Sequence, residues 1–105
     1  MDSKKEIYEI EFTEDCRDEI REIYKYISEN LVADQAAKNL MRKMRDSVNA
    51  LADNPKLYRK IEKKDKVEND YRRLIINNFV ILYTINEEKK IVYIAHMYYG
   101  RRNYL

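Results

Sequence analysis

The sequence predicts an α+β domain: an N-terminal strand, then a two-helix antiparallel hairpin packed on a mainly antiparallel four-stranded sheet. Three observations carry that expectation. A short segment near the front alternates apolar and acidic residues, two longer stretches repeat apolar residues at helical spacing, and the last third is dominated by β-branched and aromatic residues. A chain of 105 residues holds one hydrophobic core, so residues 1–105 are read as a single domain.

In IYEIEF, Tyr8, Ile10 and Phe12 fall on one side of a strand and Glu9 and Glu11 on the other, the period-two pattern of a half-buried strand. Thr13 is the expected N-cap of the first helix, with Glu14 and Asp15 at the positive end of its dipole. Cys16, Ile20, Ile23, Tyr24, Ile27 and Leu31 then recur at helical spacing to about Asn30. Asp34 is placed to cap a second helix whose apolar stripe is Ala37, Leu40, Met41, Met44, Val48 and Leu51, and Pro55 marks its end. YRRLIIN, FVILYTI and KIVYIAHMYY read as three strands of a meander. Asn77-Asn78, a pair tolerant of positive φ, turns the first hairpin, and Asn86 to Lys89 the second. FVILYTI is apolar nearly throughout, as suits a central strand covered on both faces. The single glycine, Gly100, follows the last strand where φ freedom permits a sharp turn.

Hydrophobic residues make up 45% and charged residues 38%, a globular balance and not that of a disordered chain. One cysteine forms no internal disulfide, the front end lacks the apolar run of a signal peptide, and no stretch is long enough to span a bilayer, so a cytoplasmic protein with no membrane association is expected. Cys16 falls on the apolar helical stripe and reads as core, not as a nucleophile. One His and one Cys far apart give no metal-ligand spacing, and a single glycine gives no nucleotide loop, so neither metal nor cofactor is expected. The net charge of +2 hides an asymmetry. Residues 1–31 carry five basic and ten acidic side chains, whereas residues 56–73 carry eight basic and four acidic. A local positive field of this kind favours a polyanion, although a solvated lysine-rich loop has the same composition.

The order strand, helix, helix, strand, strand, strand, with YRRLIINNFVILYTI and a terminal IAHMYYGRRNYL, resembles the RelE/ParE toxin superfamily over essentially the whole chain. The resemblance implies the toxin of a bacterial type II toxin-antitoxin module, held silent by a cognate antitoxin. In the ribonuclease branch it implies metal-independent cleavage of mRNA on the ribosome, using the RNA 2′-hydroxyl as nucleophile. That chemistry needs a base, an acid and cations for the phosphoryl oxygens. The resemblance places functional groups at Arg73 and at Arg102 with Arg101 beside it; the family's C-terminal tyrosine sits several residues beyond that arginine pair, and Tyr104 is the substitute for it here. His96, the only histidine, is the acid/base candidate because imidazole titrates nearest neutrality. Strand parity sets it on the same side as Val92, Ile94 and Tyr98, where a partly buried, hydrogen-bonded histidine is the alternative reading. Arg72, Lys60, Lys63, Lys64 and Lys66 are candidate phosphate contacts, and Tyr98, Tyr99 and Tyr104 candidates for stacking on RNA or donating a phenolic proton. Arg72 and Arg73 straddle the two faces of one strand, so at least one reads as an ordinary surface or ion-pairing arginine. The ribonuclease branch carries an arginine where this chain has Val80. The ParE branch, which poisons DNA gyrase by binding it, accommodates valine there.

Overall fold

The computed structural model describes residues 7–30, 34–61 and 70–100. Its elements are β1 (Glu9–Phe12), α1 (Glu14–Asn30), α2 (Asp34–Asn49), one 3-10 turn (Ala50–Ala52), β2 (Arg72–Ile76), β3 (Phe79–Asn86) and β4 (Ile91–Tyr99). Leu31 lies outside the described residues. The four strands form one sheet in the order β1-β4-β3-β2, with β1 parallel to β4 and the other pairs antiparallel.

Local chemistry accounts for the boundaries. The Thr13 hydroxyl accepts the Cys16 N–H at 3.1 Å, the expected cap, and donates to the Ala95 carbonyl at 2.9 Å. The end of β1 and the start of α1 are thereby fixed to β4. Asn77 and Asn78 both take positive φ (47° and 68°), the geometry a two-residue hairpin needs. At the second turn the Asn86 side chain accepts the Lys89 N–H at 2.9 Å, and Lys90 takes a φ of 57°.

One face of the sheet carries the helices. Cys16, Ile23 and Ile27 of α1, Ala37, Met44 and Val48 of α2, and Leu51 pack on Leu74, Phe79, Ile81, Tyr83, Val92, Ile94 and Met97. Tyr24, expected on the apolar stripe, is instead exposed. Tyr83 reaches through this core and donates to the Pro55 carbonyl at 2.7 Å, so the proline that ends the hairpin is held from inside. Val80 and Leu82 alternate to the opposite face of β3, and they too are buried, at 4% and 1% exposure. The central position expected of FVILYTI is therefore observed: β3 lies between β2 and β4 and is buried on both faces.

The pairing of β3 with β4 contains one irregularity. Leu82 is opposite His96, but the next residue, Tyr83, is opposite Ile94, so Ala95 is an extra residue. Such a bulge reverses inside and outside along a strand. Val92 and Ile94 face the helices before it, and Met97 and Tyr99 face them after it. His96 and Tyr98 therefore stand on the face opposite Val92 and Ile94. The simple parity expected from the sequence placed them together, and the bulge overturns that.

Candidate functional site on the helix-free face of the sheet

Because of the bulge, one register row crosses three strands on the face away from the helices: Arg73 on β2, Leu82 on β3 and His96 on β4. Strands lie about 4.8 Å apart, so Arg73 and His96 are about 10 Å apart at the backbone, with an aliphatic floor between them. Arg73 is exposed. The neighbouring row toward the hairpin turn is Ile75, Val80 and Tyr98, and Ile75 is exposed.

His96 is held firmly. Its Nδ1 lies 3.1 Å from one carboxylate oxygen of Glu19, whose other oxygen accepts the Met97 N–H at 2.9 Å. The fold explains why α1 supplies this group. β1 stops at Phe12, opposite Ile94, so the outer edge of β4 continues without a strand beside it, and Glu19 takes the place of a strand carbonyl. A carboxylate at Nδ1 favours the tautomer with hydrogen there and leaves the Nε2 lone pair for proton transfer. The ring stands between two phenols, 6.1 Å from Tyr98 in a stacked arrangement and 6.2 Å from Tyr71 edge-on. Burial, then the nearby Glu19 carboxylate and Tyr71, push the Tyr98 phenol above its ordinary pKa, so it keeps its proton.

The remaining candidates separate. Arg72 lies on the helix side and donates to the Tyr58 carbonyl at 2.6 Å, so it braces the segment after the helices and is not grouped with Arg73. Lys60 forms an isolated bridge with Arg72, which sets its side chain on the same side, and its Nζ lies 3.9 Å from Asp70. Tyr99 packs at 4.8 Å on Phe79 and 6.2 Å from Tyr26, on the helix side, while Tyr98 is the tyrosine of the open face. Arg101, Arg102, Tyr104, Lys63, Lys64 and Lys66 lie outside the described residues. β4 ends opposite Phe79, whose partner on the other side is Ile76, three residues and about 10 Å along β2 from Arg73.

Sequence reading missed two residues of this face. Arg59 is one: the Arg73 N–H donates to the Arg59 carbonyl and the Ile61 N–H to the Tyr71 carbonyl, a register that sets Arg59 across from Arg73. The only available signal was the position of Arg59 within a basic stretch. Glu19 is the other, and its contact with His96 spans 77 residues of sequence, beyond any local pattern. Among the described residues no group of three or more His, Cys, Asp or Glu side chains is arranged to hold a metal ion. No helix there is long and apolar enough to cross a membrane.

A helical hairpin packed on one face of a four-stranded mixed sheet defines a fold class that solved structures share. A chain of the chromosomal ParDE toxin-antitoxin system from P. aeruginosa superimposes with a TM-score of 0.70 at 13% identity, over 91% of this chain and 99% of that one. The RelBE2 toxin-antitoxin complex from Mycobacterium tuberculosis gives 0.62 at 14% identity over 94% and 98%. The intact E. coli RelBE complex gives 0.51 at 16% over 90% and 99%. No curated protein matches the chain in sequence. Residues 10–104 match the family described as the ParE toxin of type II toxin-antitoxin system, parDE, and the chain belongs to that family.

Proposed function

We propose that this toxin arrests growth by cleaving mRNA on the ribosome without a metal, at the helix-free face of its sheet. The observation that carries the reading is the row Arg73, Leu82, His96, with His96 oriented by Glu19. His96 Nε2 takes the proton from a 2′-hydroxyl, the 2′-oxygen attacks the adjacent phosphorus, and the bond from phosphorus to the 5′-oxygen breaks. The products are a 2′,3′-cyclic phosphate and a 5′-hydroxyl. Tyr98, which holds its proton, is placed to protonate the leaving oxygen. Arg73 and Arg59 stabilise charge on the non-bridging oxygens, a task suited to guanidinium forks. Arg101, Arg102 and Tyr104 remain proposed contributors from the chain beyond Gly100, and Lys63, Lys64 and Lys66 from the basic stretch of sequence before β2.

The exposed Ile75, on one register row with Tyr98, favours a second reading, a non-enzymatic protein interface of the kind that poisons DNA gyrase. One experiment separates them. Purified toxin is added to a cell-free translation reaction, transcripts are mapped by primer extension, and DNA integrity is followed in expressing cells. The nuclease reading expects new 5′-hydroxyl ends within translated transcripts and intact DNA. Intact transcripts with double-strand breaks would replace it by the gyrase reading. His96→Ala is expected to slow cleavage by roughly 10²–10⁴-fold, the usual share of a general base. Arg73→Ala is expected to slow it by about 10²-fold, while changing stability by no more than about 0.5 kcal/mol because the side chain is exposed. Two of the solved relatives are toxin-antitoxin complexes. A cognate antitoxin covering this same face accounts for silencing by reversible mass action. The product of an adjacent short reading frame is then expected to co-purify with the toxin and to suppress its activity.

A further inference from the structure

The open face carries a second feature that the cleavage chemistry does not use. One row from His96, on the side away from Tyr98, a depression of about 340 Å³ is lined by Asp15, Tyr71, Thr84, Tyr93, Ala95 and His96. Its origin lies in the bulge. The extra residue is an alanine, whose methyl group leaves a hollow where a larger side chain would fill the surface, and Tyr71 and Tyr93 stand around it. The Thr13 hydroxyl at its margin is already committed, accepting from the Cys16 N–H and donating to the Ala95 carbonyl. Asp15, in the first turn of α1, contributes the one carboxylate of the lining.

We propose that this depression is a guanine-binding subsite, in which the Asp15 carboxylate accepts the N1–H and N2–H donors of the base while Tyr71 and Tyr93 contact its faces. The assignment rests on the RNA reading above. An aromatic-walled hollow accepts any base by stacking, so the carboxylate decides which one. Two parallel N–H donors on neighbouring atoms are what a carboxylate binds best, as in its pairing with a guanidinium. Guanine alone offers them on one edge. Adenine and cytosine set a lone pair beside the amino group, and uracil sets a single N–H between two carbonyls.

Charge across the face favours the same orientation. The sheet order places β2, with Arg59 and Arg73, at one edge, and β1 with the start of α1, including Asp15, at the other. A nucleotide lying across the sheet directs its phosphate to the guanidinium edge and its base donors to the carboxylate. Two residues along a strand are about 7 Å, so the base subsite and the Arg73–His96 row suit a base and a phosphate of the same short stretch of RNA.

The test uses the intact chain labelled with ¹⁵N and titrated separately with GMP, AMP, CMP and UMP. GMP is expected to shift the amide signals of Thr84, Tyr93 and Ala95 and to bind at least about fivefold more tightly than the other three, the low end of discrimination by a bidentate contact. Asp15→Asn is expected to reduce GMP to the affinity of AMP while the amide spectrum stays that of the folded chain, with only the slight drop in melting temperature that losing a charge in the first turn of α1 brings. Equal binding of all four nucleotides, or GMP shifts confined to other surfaces, would overturn the subsite. Transcript mapping separates the two readings. Cleavage whose preference for guanosine is absent, or is unaltered by Asp15→Asn, sinks the subsite and leaves the nuclease standing. Guanine-selective binding with every transcript intact sinks the nuclease and leaves the subsite.

Discussion

At the scale of single residues, the core constrains two groups by the same physics. Burial, then the Glu19 carboxylate, push the Cys16 thiol up to about 12, and burial pushes the Tyr83 phenol to about 12 as well. Both folded pKa values lie above the ordinary 9.0 and 10.0, so the stability each contributes is complete below those values. It is lost as pH rises toward 12, because the unfolded chain releases protons that the folded chain retains. Melting temperature is therefore expected to fall from pH 9 upward, as unfolding free energy drops by at most about 1.4 kcal/mol per pH unit for each group. Cys16→Val should flatten the first part of that fall when melts are compared at pH 8, 9 and 10. An identical slope in the variant would show that the thiol takes no part. The helical stripe made Cys16 legible as core from sequence alone. The alternative roles of Arg72 and Arg73 were legible only as a disjunction, since parity says that neighbours differ but not which one meets the carbonyl of Tyr58.

At the scale of elements, the pieces read most readily were those whose causes are local. Thr13 caps its helix, Asn77 and Asn78 take positive φ, and residues 9–12 alternate, each for reasons contained within a few residues. Asn78→Val is expected to cost about 1–2 kcal/mol in urea denaturation, because a β-branched residue resists that φ. Asn78→Gly is expected to be neutral or to stabilise slightly, since it creates the favoured Asn-Gly pair. The bulge at Ala95 has no such local cause. IVYIAHMYY alternates well enough to be read as one regular strand, and the reversal is enforced from outside: Thr13 takes the Ala95 carbonyl and Glu19 takes the Met97 N–H. Those partners lie 82 and 78 residues away. The consequence reached the candidate site directly, because His96 and Tyr98 changed faces while Tyr99 was turned to the core.

At the scale of the whole molecule, the strand order converts an asymmetry along the chain into one across it. Among the described residues, β1 and the acidic start of α1 lie at one edge, and Arg59 and Arg73 lie at the other, beside and on β2. RNA binding on that face is expected to weaken with salt, and replacing Arg59 and Arg73 with Gln should reduce the log–log slope by about 0.7 for each phosphate no longer neutralised. A slope unchanged in a filter-binding series would place the RNA on another surface. The pairing of β1 with β4 also dictates when a working molecule can exist. Glu9 has no strand to lie against until Ile91 has been made, and Arg73 has no histidine across from it until the ribosome has added His96. On the reading proposed above, the growing polypeptide thus has no assembled site through most of its own synthesis, and activity toward RNA arises only with the strand that completes the sheet.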